Sequence, residues 1–217
     1  MDVFEAIEKR RTVRVFKQGV PEEQLRKLLL AGIKAPSGSN VQPWEFIIID
    51  DTKIIEQIAE QKYQQSLKMA IDDITLKHPE VLEQIYHQTL QRPFSPQFAI
   101  AQRNSYQHCS VIAVCNQKWH GNGRKPWMNV ENIASTWMCI ENMALAATAE
   151  GLSLQISILR EEHKAAVEKL LGIPEDYELA TMVLIGISEE VPPRVRRFGP
   201  VRPEFSWLHR NSFSGRQ

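Results

Sequence analysis

APSGSNVQPWEFIIID, residues 35–50, takes the chain from a helical pattern into a strand, and the rest of the sequence is arranged around it. Its second half, Phe46-Ile47-Ile48-Ile49, has strand composition and reads as buried. In its first half Pro36 restricts the backbone and Gly38 releases it, so the amides of Ser37, Gly38, Ser39 and Asn40 can turn toward a ligand instead of a ladder. The same residue types also make a helix-to-strand turn that only reverses the chain, and taken alone they fit that turn slightly better.

Working outward, Pro21 opens a helix with Leu25, Leu28, Leu29 and Ile33 at helical spacing, and this helix runs into the loop. Before it, Asp2 can cap a short helix whose Val3, Phe4 and Ile7 form an apolar stripe. Between the two lies Arg10-Arg11-Thr12-Val13-Arg14, extended from Thr12 to Phe16 by its β-branched and aromatic residues. Alternation places Arg10, Thr12 and Arg14 on one side, a forked receptor for phosphate or carboxylate. A solvated basic corner is an equally good account of an isolated RRxxR.

Downstream, Thr52 can cap a helix through Ile54, Ile55 and Ile58. Residues 53–107 form a weakly periodic, mostly helical excursion, with breaks expected at Pro79, Pro93 and Pro96. It is either surface decoration or a substrate wall. Arg103 and Asn104 precede a core strand, Ser110 to Cys115, and are placed to reach back toward the loop. His120-Gly121-Asn122-Gly123 is a turn without the pattern of a phosphate loop. From Asn129 to Glu150 a long helix is apolar nearly all round, as in a core or an oligomer interface, and Gly151 ends it. Within it, Glu141 and Asn142 are expected to find structural hydrogen-bond partners. Leu152 to Ile158 reads as strand or extended loop, about Arg160 to Leu171 as helix, and Ala180 to Ile187 as a fully buried strand. The tail carries a second basic cluster at Arg194, Arg196 and Arg197.

At 217 residues a single domain, 1–217, is expected, with 191–217 as an extended tail. The 43% hydrophobic and 24% charged composition is that of a globular protein. Twenty-six basic residues balance twenty-six acidic ones, so no global field draws nucleic acid or a membrane, and any anion site is local. The N-terminus lacks the apolar core of a signal peptide and is too acidic for a transit peptide, which predicts a cytoplasmic location. Cys109, Cys115 and Cys139 sit among apolar residues and read as free, buried thiols. The six histidines show no metal-ligand spacing, and no metal is assigned.

In its order of parts the chain resembles the flavin-dependent nitroreductase family. These parts are Arg10-Arg11-Thr12-Val13-Arg14, the Pro36-Ser37-Gly38-Ser39-Asn40 loop closing on Gln42-Pro43-Trp44, the long helix ending in Gly151-Leu152, the buried strand and the basic tail. The resemblance spans roughly residues 2–50 and 105–197. It implies an α+β fold, a three-layer sandwich with a central mostly antiparallel sheet flanked by helices, in an intertwined homodimer. It implies FMN at a site built from both subunits, with no catalytic side chain. Arg10, Arg11, Thr12, Arg14, Arg194 and Arg196 would hold the flavin phosphate, and Pro36, Ser37, Gly38, Ser39 and Asn40 would line the flavin. Ile156, Ser157, Ile158 and Leu159 would run along the isoalloxazine ring, with Arg103 or Asn104 at its pyrimidine side. The implied activity is ping-pong reduction of nitroaromatics, quinones or similar small acceptors by NADH or NADPH. Reductive dehalogenation, other flavin chemistry and a non-catalytic FMN sensor are alternatives on the same site. Ser153 stands where many members have a second glycine, and Ile158 where some have a glutamate. These departures bear on how the nicotinamide is handled.

Overall fold

The computed structural model describes residues 1–77, 96–118, 126–189 and 191. Helix α1 spans Val3–Lys9 and α2 spans Glu22–Gly32, followed by a single 3-10 turn, Gly38–Asn40, and strand β1, Trp44–Ile49. Helix α3, Thr52–Lys77, and helix α4, Pro96–Asn104, precede β2, Ser110–Gln117. Then come α5, Pro126–Ala149, β3, Ser153–Ser157, α6, Glu161–Leu170, and β4, Tyr177–Gly186.

The four strands form one antiparallel sheet in the order β1-β2-β4-β3. The two continuous apolar runs, β2 and β4, take the central positions because only there are both faces covered. Alternation divides their side chains between two cores. Ile112, Val114, Val183 and Ile185 pack with Leu25 and Leu28 of α2 and with Ile140, Met143 and Ala147 of α5. Val111, Ala113, Met182 and Leu184 pack on the other face with Ile58 of α3 and Val167 of α6. The result is helices, sheet, helices, and each fully buried Leu or Ile contributes about 1.5–3 kcal/mol.

Beyond the edge of β3 the arginine-rich segment adds a short extension, as its strand-like composition requires. Thr12 bridges Leu154 in parallel, and the Val13 amide donates to the Leu154 carbonyl at 3.1 Å. Farther on, Lys17 and Gln18 exchange backbone hydrogen bonds of 2.8 Å with Ile187 at the end of β4.

Several local expectations change. Strand β1 is a half-buried edge, with Trp44 and Ile49 buried and Glu45 exposed, because nothing pairs with its outer side within the described residues. The cap of α3 is Asp51, not Thr52: its carboxylate accepts from Lys53 N at 2.8 Å and Ile54 N at 3.2 Å. Helix α3 continues unbroken to Lys77, and Pro96 opens α4 instead of breaking a helix, as the first helical position allows. The stripe Val3, Phe4, Ile7 is exposed, and only Ala6 of α1 is buried. Helix α5 buries one face and leaves Trp127, Val130, Ile133 and Met138 exposed. Pro79, Pro93, the turn 120–123 and tail residues 192–217 lie outside the described residues. No described helix is long and apolar enough to cross a membrane.

Candidate cofactor site

The parallel pairing sets the register of the site. Thr12 meets Leu154 in a single parallel bridge, and by Lys17 and Gln18 the segment has reached Ile187, beyond the Ser153 end of β3. Thus the segment that carries the cations touches β3 at Leu154, near the start of the strand that leads to Ile158 and Leu159. At its start, Arg11 is folded onto its own backbone, donating to the carbonyl of Arg10 at 2.8 Å and also to that of Glu8. A cleft of about 470 Å³ opens there, lined by Lys9, Arg11, Val13, Gly151, Ser153 and Ser188 among others. From Ser153 to Ser157 is about 13 Å along a strand, so this cleft and Ile158 lie at opposite ends of β3.

Arg10 and Arg14 reach different helices. Arg10 Nε lies 3.1 Å from Glu141 Oε1 on α5. The pair is partly exposed and contributes roughly 0.2–1 kcal/mol. Glu141 and Asn142 have thereby found structural partners, Arg10 and, at 3.5 Å, the Ala31 carbonyl. Arg14 lies over the Phe98 ring of α4, 5.8 Å from its centroid.

Two residues that the sequence reading missed complete this end. Lys62 and Gln65 of α3 both donate to the Ile158 carbonyl, at 2.8 and 3.1 Å, and Gln65 Oε1 accepts from the Arg160 amide at 2.6 Å. Lys62 is buried, and the loss of hydration, followed by repulsion from Arg160 and Arg14, lowers its ammonium to about 8. The charges that lower it are cations, so this corner suits an anionic or electron-rich ring. Ile58, Ala59, Lys62, Gln65 and Ser66, all buried, repeat at helical spacing, so the buried stripe of α3 passes from apolar into polar residues, which their types alone did not announce.

The other expected ring-side residues have varied surroundings. Ser157 is buried and accepts from the Tyr106 hydroxyl at 3.0 Å. Ile156 is half-buried against the α2/α5 core, whereas the Ile158 side chain is 38% exposed. Asn104 ends α4 and is exposed, and Arg103 turns to α3, 5.1 Å over the Tyr63 ring and 3.8 Å from Glu60. Arg194 and Arg196 lie outside the described residues.

The Pro36–Asn40 loop is exposed except for half-buried Ser37, whose hydroxyl accepts from the Gln42 amide at 3.0 Å. Its left-handed residues are Ser39, Asn40 and Gln42, with φ of 50°, 57° and 50°. The release of the backbone expected at Gly38 thus falls on its neighbours. Gly38 itself lies against the Glu131 carboxylate, which a Cβ there would meet at 3.1 Å. Glu131 and the Arg10 partner Glu141 are ten residues apart on α5, about 15 Å along a helix. One chain does not bring the loop and the arginine segment to one point.

Burial pushes the thiols of Cys109 and Cys139 up to about 12 and that of Cys115 to about 11, so all three stay protonated near neutrality. All three are free. Among the described residues no cluster of His, Cys, Asp or Glu is placed to hold a metal.

Comparison with known proteins gives a consistent picture. The model of a family described as the Nitroreductase family matches residues 7–187. The chain is 29% identical to Protein DrgA of Synechocystis sp. over 91% of this chain and 89% of that one. It is 26% identical to an iodotyrosine deiodinase of Thermotoga neapolitana over 90% of this chain and 93% of the other. Among solved structures, an oxidised iodotyrosine deiodinase bound to FMN and 3-iodo-L-tyrosine superposes with a TM-score of 0.68 at 22% identity. That superposition covers 94% of this chain and 98% of the other.

Proposed function

The chain belongs to the nitroreductase family, and from that premise we propose that it is an FMN-dependent oxidoreductase that passes electrons from NADH or NADPH to small acceptors such as nitroaromatics or quinones. The observation that carries this reading is the bridge of Thr12 to Leu154, which docks the cationic segment on the strand leading to Ile158. The donor set suits FMN along that line. In this reading Arg10, Arg11, Thr12 and Arg14 hold the phosphate, a role also assigned to Arg194 and Arg196, and the Ile156–Ile158 backbone flanks the ring. Bound FMN supplies the two-electron transfer, and the protein's part is binding, orientation and electrostatics.

The separation of the Pro36–Asn40 loop from Arg10 along α5 supports a site shared by two copies, with the loop supplied by the second. The exposed apolar faces of α1 and α5 are the surfaces available for that association.

Protein purified with FMN is expected to carry about one flavin per chain, and Arg14→Ala to weaken its retention about tenfold or more without unfolding. Anaerobic NADH or NADPH is expected to bleach the flavin band, and a nitroaromatic or quinone to restore it, with parallel double-reciprocal plots. A wild type without bound-flavin absorbance removes the reading. A flavin band that persists with both donors removes the enzyme and leaves a binding protein.

A second reading has its own support in the likeness to the Thermotoga deiodinase along nearly the whole chain. It is reductive dehalogenation of a halophenol at the same site. Release of halide from a halotyrosine by the reduced protein would favour it over the nitroaromatic reading.

A further inference from the structure

Lys62 and Gln65 lie one helical turn apart on α3 and converge on a single backbone carbonyl, that of Ile158. A carbonyl has two lone pairs, and here both are taken by side chains from a segment more than ninety residues away in sequence. Gln65 uses its other end on the Arg160 amide at 2.6 Å, so one amide side chain bridges the two backbone groups on either side of Leu159. Both side chains are buried, at 8% and 6% exposure. Helix α3 is fixed to α6 beyond the clamp by Gln61 with His163 at 3.0 Å and by Lys68 with Glu162 at 2.8 Å.

This arrangement is not the one that packing alone would select. Burying an ammonium group is costly, and here the charges that act on it, Arg160 and Arg14, are of the same sign. A methionine would fill the same space without that cost. Immediately after the clamp, Glu161 begins α6 with φ of 49°, a left-handed conformation that a glutamate adopts only when its surroundings impose it. A doubly anchored carbonyl at Ile158 and a left-handed backbone at Glu161 therefore fall within four consecutive residues, with the buried cation of Lys62 set against them. On the outer side of the same segment the Ile158 side chain is partly exposed.

We propose that Lys62 and Gln65 are positioning residues: from behind, they fasten the Ile158–Arg160 backbone in the conformation that presents the segment to the flavin ring. This role rests on the reading of the site in the preceding subsection.

The test uses the full chain with three substitutions, Lys62→Met, Lys62→Arg and Gln65→Leu. In the flavin-free protein, Lys62→Met and Gln65→Leu are expected to speed hydrogen exchange at the amides of Leu159, Arg160 and Glu161 at least tenfold, with the sheet amides unchanged. In the FMN-loaded protein both are expected to raise the FMN dissociation constant about tenfold and to alter the visible circular dichroism of the flavin. Lys62→Met is also expected to disfavour the reduced over the oxidised flavin about tenfold, which is about 30 mV for a two-electron couple. Lys62→Arg, which keeps a cationic donor, is expected to restore most of each effect. Unchanged local exchange in both Lys62→Met and Gln65→Leu, with normal FMN binding by the wild type, overturns the clamp and leaves the flavin site standing. Exchange that rises uniformly through the chain while the potential stays fixed overturns it too, because that is loss of global stability. A wild type that binds no FMN removes the site and this role with it.

Discussion

Lys62 also makes a stability statement that can be read by titration. Its proton is held less tightly in the folded chain, at about 8, than in the unfolded one, at 10.5. A depressed folded value means that the stability linked to deprotonation is fully present above 10.5 and is lost as pH falls through 8. Between those limits the unfolded state binds more protons, so stability rises with pH there, by about 3 kcal/mol in all for this one group. The quantity to measure is the unfolding free energy of the wild type minus that of Lys62→Met, from urea melts at pH 7.5, 9 and 10.5. A difference that stays flat over this interval means that the lysine is not desolvated as described. Such a residue was hard to read from sequence because Lys and Gln on a helix ordinarily mark the solvated face. Only the tertiary placement of α3 over the Ile158 loop reverses that assignment. The arginine segment was easier, since β-branched residues interleaved with arginines announce an extended, cationic edge whatever lies beside it.

Two glycines at helix ends act for different reasons, and the difference can be measured. Gly32, the last residue of α2, is buried against α5, where a Cβ would meet Met143 Cγ at 2.7 Å and Cys139 Sγ at 3.0 Å. Gly151 has φ of 75° and nothing within 4 Å of a built Cβ. It is the residue that turns the chain out of α5, with its amide donating to Thr148 O at 3.0 Å and the next amide, of Leu152, to Ala147 O at 2.8 Å. Gly32→Ala is therefore expected to cost about 1–3 kcal/mol through overpacking between α2 and α5. Gly151→Ala is expected to cost about 1–2 kcal/mol through left-handed backbone alone, and replacement by Asn, which tolerates that region, should recover most of it. Denaturant melts of the three variants decide the matter, and equal losses for Ala and Asn at position 151 would contradict the backbone account. Helix ends of this kind were legible because a glycine after an apolar run has few other uses. The start of α3 was not, because Asp51 and Thr52 are both competent caps and neighbouring backbone geometry chooses between them. In the loop before β1 the left-handed residues are Ser39, Asn40 and Gln42, where the pattern had pointed to Gly38.

For the whole molecule, the layered fold follows from pattern with little ambiguity. Ile112 and Val114 on one face and Val111 and Ala113 on the other require helices on both sides of the sheet, and the sequence supplies amphipathic helices for each. What pattern does not divide is burial within a chain from burial between chains. Helix α5 read as apolar all round, and in the single chain its Val130 is 64% exposed and its Trp127 51%, while Phe4 of α1 is 80% exposed. An apolar surface of this kind on two helices is a signature of association. The proposed site gives the association a second consequence, because the Pro36–Asn40 loop and Arg10 meet α5 some ten residues apart and are expected to complete each other's site only across two copies. Substituting Val130→Glu and Phe4→Glu, singly and together, is therefore expected to convert a dimer to a monomer in light scattering and, in the same samples, to abolish stoichiometric FMN retention. Far-ultraviolet circular dichroism should be unchanged, since neither side chain is in a core. A monomer that keeps one FMN per chain would place the whole site within a single copy, and a dimer indifferent to both substitutions would place the interface elsewhere. In either case the loop at 36–40 reverts to the plain helix-to-strand turn that its composition allowed.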